Sequence, residues 1–571
     1  MTSSTSPLGS QTSTAAPASN LVDALRRLRP RTERGFRFIA SDRTERFFSY
    51  GEMEDEAMKR AAFFQALGMK KGERIALVLP EGHDFVLSFL GASFAGLVPV
   101  PIFPRATFKA IDSYVDVLAH ITEASGAKVM LTAESTKPFV EQVLTRNVGL
   151  ETLLTVETAF AGDPPPFTPV PITEDDLCFL QFTSGSTSKP KGVMVTHANL
   201  VANATAFLGP DGLKRNDNDV GISWLPLYHD MGLIGFALGT IICDIPVVIM
   251  PTAMFARTPR LWLETIHKHK GTITYAPNFA YALVAKRIKE SDLASLDLST
   301  LRVAGCGAEP IRGQTLLEFA EKLKPAGFRG DEVFLPSYGM AESTLAITFH
   351  QLGTPMILDR VDAAAMQRGR AEPATAATEH VLELVSCGVP FPGHELRIVT
   401  EGGKVAGERE VGELIVRGPS VTAGYFQNAE ATAEAWRDGW MHTGDLAYIA
   451  GGNVYICGRL KDLIIINGAN HYPQDIEWVV GDIEGVRRGN VVAFSTILDG
   501  TEKLVLLAEG NSGDAPALRD QIARAVSENF GLQPSHVGIV PVGALPKTSS
   551  GKAQRRKSKA MYESGTFEEH A

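Results

Sequence analysis

Short runs of aliphatic and β-branched residues alternate with helix-like segments along most of this chain, and that alternation restricts the fold more than any other feature. ERIALVLP (73–80), VPVPIF (98–103) and KVMLTA (128–133) have strand character, and DFVLSFLGASFAG (84–96) between them has helix character. The pattern predicts an α/β architecture of layered, largely parallel sheets and helices. At 571 residues the chain exceeds one ordinary core, so two or more domains are expected. A glycine-flanked charged step, GRLKD (458–462), precedes a fresh strand-like run, LIIING. PQDIEWVVGDI, NVVAFSTI, EKLVLLAEG and ALRDQIARAVSENFG follow as helix, two strands and a glycine-stopped helix. These suffice for a small α+β domain. The expected division is a leader at 1–20, a large domain at 21–457, a hinge at 458–462 and a small mobile C-terminal domain at 463–571. From about 351 to 381 the chain is polar and rich in Ala, Arg and Glu, and reads as an excursion inserted into the large domain.

Composition excludes several classes. The formal net charge of −10 argues against nucleic acid as a partner. Cys178, Cys243, Cys306, Cys387 and Cys457 include no CxxC pair, so free thiols in a reducing cytoplasm are expected. The first twenty residues carry no charge and lack the apolar run of a signal peptide, and are predicted to be a disordered leader. The longest apolar stretch, 233–250, is broken by Asp244 and Pro246 and is expected to be a buried helix and strand rather than a membrane span. A cytoplasmic monomer is expected.

Chemistry concentrates in FTSGSTSKPKGVMVTHANL (182–200). A strand-like run ends there in a loop dense in Gly, Ser, Thr and Lys, and a helix-like run follows. Backbone N–H groups and hydroxyls of such a loop can surround phosphate oxygens, with Lys189 and Lys191 supplying charge. The Walker A pattern is absent.

This loop resembles that of the acyl-adenylate-forming superfamily, which includes acyl-CoA ligases, luciferases and adenylation domains of peptide synthetases. Further blocks in the same order carry the resemblance from about Leu21 to Lys559. They are WLPLYHDMGLIG (224–235), AGCGAEPI (304–311), PSYGMAESTLAI (336–347), HTGDLAY (442–448), GRLKDLIIINGANHYPQDIE (458–477) and PKTSSGKAQR (546–555). The resemblance implies a carboxylate attacking the α-phosphate of ATP, with ATP and Mg²⁺ as cofactors. Lys552 would reach the carboxylate and the α-phosphate, Glu342 would hold Mg²⁺, and His229 would lie beside the incoming carboxylate. Thr183, Ser184, Gly185, Ser186, Thr187 and Lys191 would cradle phosphate. Tyr338 would stack on adenine, framed by Gly307, Ala308, Ser337, Gly339 and Met340. Asp445 would receive the ribose hydroxyls, Arg459 would hold ribose or phosphate, and Lys461 would mark the hinge.

Within the superfamily the chain resembles the fatty acyl-AMP ligases. The usual Tyr-Gly-x-Thr-Glu block reads YGMAE, with Ala341 in place of the threonine, so Thr344 or a loop threonine would supply the missing hydroxyl. The excursion after Ile347 matches an insertion of that branch. The resemblance implies transfer of the acyl group to the phosphopantetheine of an acyl carrier protein on a separate chain. An apolar pocket for a medium- or long-chain fatty acid is expected behind Trp224, His229, Met231 and Phe279. RRKSK (555–559) could contact an acidic carrier, although a solvated tail is the simpler expectation. A fatty acyl-CoA ligase remains the alternative, followed by an amino-acid-activating domain using Asp230 and by a non-catalytic acyl-adenylate-binding relative.

Overall fold

A computed structural model describes residues 18–105, 111–146, 148–183, 189–466, 468–498, 501–510, 513, 515–548 and 551–570. The described residues begin inside the expected leader. Asn20 is buried, caps the helix Leu21–Leu28 by accepting from Asp23 N–H at 2.8 Å, and donates to the Ile172 carbonyl at 3.1 Å.

The large lobe is organised around a nine-stranded sheet. Its order is Val389–Pro390, Ala346–Phe349, Phe334–Gly339, Val303–Cys306, Ile273–Ala276, Gly221–Ser223, Val247–Ile249, Gly35–Ile39 and Glu45–Ser49. The central strands pair in parallel, and antiparallel strands close both ends. A four-stranded parallel sheet runs Val98–Pro101, Arg74–Val78, Val129–Thr132 and Thr152–Thr155. VPVP forms an edge strand there, because prolines cannot donate to a second neighbour. The apolar stretch after Leu233 becomes a π-helical turn, Leu233–Leu238, the helix Gly239–Ile242 and the buried strand Val247–Ile249. No helix among the described residues is long and apolar enough to cross a membrane. All five cysteines are free thiols.

An antiparallel sheet of Glu395–Val399, Gly412–Arg417, Trp440–Ala450, Trp436–Arg437 and Asn453–Arg459 completes the large lobe. The excursion folds onto it, contrary to the reading of a polar segment outside any core. Leu358–Asp362 and Val381–Val385 form a hairpin around the helix Ala363–Gln367. Val361, Met366 and Ala371 are buried with Tyr448, Tyr455 and Tyr472. Arg409 grips Asp359 at 2.9 and 3.2 Å, and the Tyr448 hydroxyl donates to the same carboxylate at 2.7 Å. The apolar residues are sparse in sequence because only one face of the hairpin is covered.

After the turn Leu460–Asp462 the chain forms a small lobe with its own core. Strands Val486–Leu498, Thr501–Gly510 and His536–Val540 make one sheet, which packs with the helices Pro473–Gly481 and Ala515–Phe530.

Candidate active site

The residues singled out in the sequence come from distant strand ends and converge where the small lobe meets the large one. Strands Val303–Cys306 and Phe334–Gly339 lie side by side and in parallel, so the turns after them emerge together. Ser337 Oγ donates to the Cys306 carbonyl at 3.2 Å and ties the two. Ala308 sits at φ +66°, in the left-handed region that costs a residue with a Cβ, and is exposed at that turn. Gly339 can be nothing else, since a Cβ there would stand 1.9 Å from the Leu345 carbonyl oxygen.

Beside these turns lies a charged cluster. The Tyr338 hydroxyl donates to Asp445 Oδ2 at 2.6 Å, and Arg459 Nε donates to Asp445 Oδ1 at 2.9 Å. Asp445 is 6% exposed, and the two donors satisfy both of its buried carboxylate oxygens. A second cluster centres on Glu342. Its carboxylate accepts from the Tyr425 hydroxyl at 2.7 Å, and the Lys191 ammonium lies 4.9 Å from the centre of the Tyr425 ring. Burial raises the Glu342 carboxyl above its usual pKa, and the tyrosine bond opposes that rise. Thr183 and Lys191 flank the Gly/Ser/Thr loop, joined by the bond from Thr183 N–H to the Lys191 carbonyl at 3.1 Å. Ser184, Gly185, Ser186 and Thr187 lie outside the described residues.

Lys552 enters from the small lobe. Burial lowers its pKa below that of a surface lysine, while Glu309 and Asp230 pull it back up. Those two carboxyls are themselves raised by burial, with Lys552 acting to lower them. His229 faces the same ammonium. Burial, and then Lys552, push its pKa down to about 4, so the imidazole is neutral at pH 7. Lys461 lies in the exposed turn between the lobes, its ammonium 3.1 Å from Glu434.

From this charged junction an apolar cavity of about 70 Å³ runs into the large lobe. Asp230, Gly307, Ala308, Ser337, Tyr338 and Gly339 form its rim, and Met231, Gly235, Phe236, Tyr275, Leu345 and Phe349 line its walls. Phe207, Leu208, Leu213 and Ile245 also line it. The π-helical turn carries Gly235, where an added Cβ would meet only Leu345 at 3.6 Å.

Several expectations need correction. Of the expected pocket residues only Met231 lines the cavity. Trp224 is stacked on Phe255 with ring centres 3.7 Å apart and is closed off by Trp262 and Phe279, while Phe279 is 37% exposed. Large aromatics beside the motif made a core cluster instead. Thr344 does not replace the missing threonine hydroxyl. It is fully buried at φ +64°, and its Oγ1 donates to the Ser420 carbonyl at 2.7 Å. Arg555 is not free for a carrier, since it pairs with Asp462 at 2.7 Å and Glu477 at 2.8 Å within the small lobe. Met340 is half-buried beside Tyr338. Sequence reasoning missed Glu309 and Tyr425. A carboxylate directly after Gly307-Ala308 was a usable signal, whereas nothing local to Tyr425 announces its contact with Glu342.

Paired strand-end turns, a lysine delivered by a second lobe and an apolar cavity beside the turns are the arrangement expected of an adenylate-forming enzyme. Residues 30–426 match the family described as AMP-binding enzyme, and this chain belongs to that family. Residues 461–571 match the AMP domain of Disco-interacting protein 2-like proteins. A candidate acyl-CoA synthetase of Caulobacter vibrioides is 38% identical over 91% of each chain. The medium-chain fatty acid–[acyl-carrier-protein] ligase JamA of Moorena producens is 31% identical over 91% of this chain and 90% of its own. A structure from a study of fatty acyl-adenylate ligases of E. coli and L. pneumophila superposes with a TM-score of 0.91. It is 34% identical and covers 96% of this chain and 98% of its own.

Proposed function

We propose that the protein joins a medium- or long-chain fatty acid to AMP, releasing pyrophosphate, and passes the acyl group to the phosphopantetheine thiol of a separate acyl carrier protein. One observation carries this reading: Lys552 comes under the influence of Asp230 and Glu309, and Asp230 also lines an apolar cavity that reaches the turns at Gly307 and Ser337. A fatty acid lying in that cavity brings its carboxylate to the lysine, and ATP on the turns brings its α-phosphate to the same place.

The carboxylate oxygen attacks the α-phosphorus, and the bond to the pyrophosphate bridging oxygen breaks. Two anions must approach, so charge neutralisation and alignment supply most of the acceleration. The Lys552 ammonium answers both anions. His229, neutral, orients the carboxylate without adding a competing charge. Asp445 keeps lone pairs for the ribose hydroxyls beyond those taken by Tyr338 and Arg459. Glu342 suits Mg²⁺, because one oxygen is turned to Tyr425 and the other remains for a hard cation. Bound there, Mg²⁺ would neutralise charge on the phosphates. In the second step a thiolate attacks the acyl carbonyl and AMP leaves.

JamA favours a carrier protein as acceptor, and the Caulobacter relative favours CoA. Product analysis with ATP, Mg²⁺ and fatty acids of graded length, with CoA or with holo-carrier proteins, decides between them. Acyl-adenylate that persists with CoA and is consumed by a holo-carrier is the expected result. Rapid acyl-CoA formation would replace this reading with a fatty acyl-CoA ligase, and no pyrophosphate from any acid would end both.

A further inference from the structure

Arg312 and Asp482 join the two lobes. Arg312 precedes the large-lobe helix Gly313–Leu323, and Asp482 follows the small-lobe helix Pro473–Gly481. The guanidinium meets the carboxylate with both nitrogens, at 3.0 and 2.5 Å. On its other side Asp482 accepts from Arg488 at 2.9 and 2.5 Å, and Arg488 lies 3.7 Å from Glu318 on the large-lobe helix. The charges therefore alternate across the interface: Arg312, Asp482, Arg488, Glu318.

We propose that Arg312 and Asp482 form a latch that seats the small lobe with Lys552 in the active site for formation of the acyl-adenylate. This rests on the adenylation reading above. Glu309, which faces Lys552, and Arg312, which grips Asp482, are three residues apart on one connection after the strand Val303–Cys306. One short segment thus receives the small lobe at two points. The turn Leu460–Asp462 is the third, and three points fix the orientation of a rigid body. Arg312 and Asp482 touch no cavity residue by hydrogen bond, so they are positioning residues acting through Lys552. Their partial exposure, 25% and 34% of the side chains, makes the latch a contact of modest strength. Asp482 is held ionised by its two guanidiniums against the burial that opposes it.

The test uses the full chain with Asp482→Asn and, on the opposite lobe, Arg312→Gln. In each, acyl-adenylate formation should fall about fivefold, the low end of a site-to-site coupling. Consumption of supplied acyl-adenylate by the acceptor should not fall with it. The double variant should be no worse than Asp482→Asn alone, since the contact that Arg312→Gln removes is already lost there. Labelling of Lys552 by a soluble amine-reactive reagent, read by mass spectrometry, should rise several-fold in both variants. This readout needs no turnover, so it separates the latch from the proposed reaction. Equal losses in both half-reactions, or unchanged Lys552 labelling in variants with unaltered Tm, would overturn the latch.

Discussion

At the nucleotide end, Tyr338, Asp445 and Arg459 are joined by bonds of 2.6 and 2.9 Å, and Tyr425 already points its hydroxyl at Glu342. At the acyl end, Phe207, Leu213, Phe236, Ile245 and Phe349 enclose space without directional contacts. The first region fixes where charge sits before substrate arrives, and needs no reorganisation when charge develops. The second selects by volume, and a missing or extra methylene in an apolar pocket discriminates by only about 1–3 kcal/mol. Chemistry should therefore fail steeply when the polar end is altered, and specificity should drift gradually when the apolar end is.

The largest effect belongs to Lys552→Ala, which should lower pyrophosphate-forming turnover about a hundredfold or more, as loss of a transition-state donor does. The Tm should change little, because the side chain makes no apolar core. The pH profile sharpens the point. The lysine works protonated and its pKa is lowered, so the rate falls as pH rises through a value below the usual lysine range. Glu309→Gln removes a charge that holds the proton and should move that fall to still lower pH. A fall unmoved by Glu309→Gln would detach the lysine from this seat.

Next comes Asp445→Ala, expected to raise the KM for ATP about thirtyfold, the cost of losing hydrogen bonds to a charged group. The fatty acid KM should hardly move. An equal rise in both would erase the distinction between the two ends.

The contrast also explains what the sequence disclosed. Each motif at the polar end is a short block whose chemistry reads on its own, so Gly307, Tyr338, Asp445 and Arg459 could be singled out without a structure although they lie far apart in the chain. The cavity wall could not. Phe207, Leu213, Gly235 and Phe349 belong to separate helices and strands, and only their packing makes a surface. Trp224 and Phe279 looked equally apt as lining, and packing turned them into an aromatic cluster with Phe255 and Trp262. The parallel sheets were legible because buried strands are continuous apolar runs. The hairpin Leu358–Asp362 and Val381–Val385 was not, since it buries one face and is held by Asp359–Arg409, a pair fifty residues apart.

A third, smaller effect tests the apolar end. Gly235→Leu places four carbons in or beside the cavity, where the glycine leaves room for a Cβ. The longest acids accepted by the parent should lose about tenfold in kcat/KM, while shorter ones and ATP are unaffected. Competition between acids of two lengths in one reaction measures this ratio directly. Uniform loss at all lengths would mean that the cavity is not the acyl site.

The smallest expected effect lies between the two ends in kind. Tyr425→Phe deletes one hydroxyl and keeps the ring beneath the Lys191 ammonium, so the phosphate loop keeps its contact while Glu342 loses its donor. Burial already holds the Glu342 carboxyl above its ordinary pKa, and the tyrosine bond works against that rise. Without it the pKa climbs further. Since the ionised carboxylate is the form that serves a cation, activity should be lost at a higher pH on acidification, by up to about one unit, with only a few-fold change at the optimum. An acid limb that stays in place in Tyr425→Phe, and moves in a fatty-acid-dependent way instead, would assign that limb to a group at the acyl end rather than to Glu342.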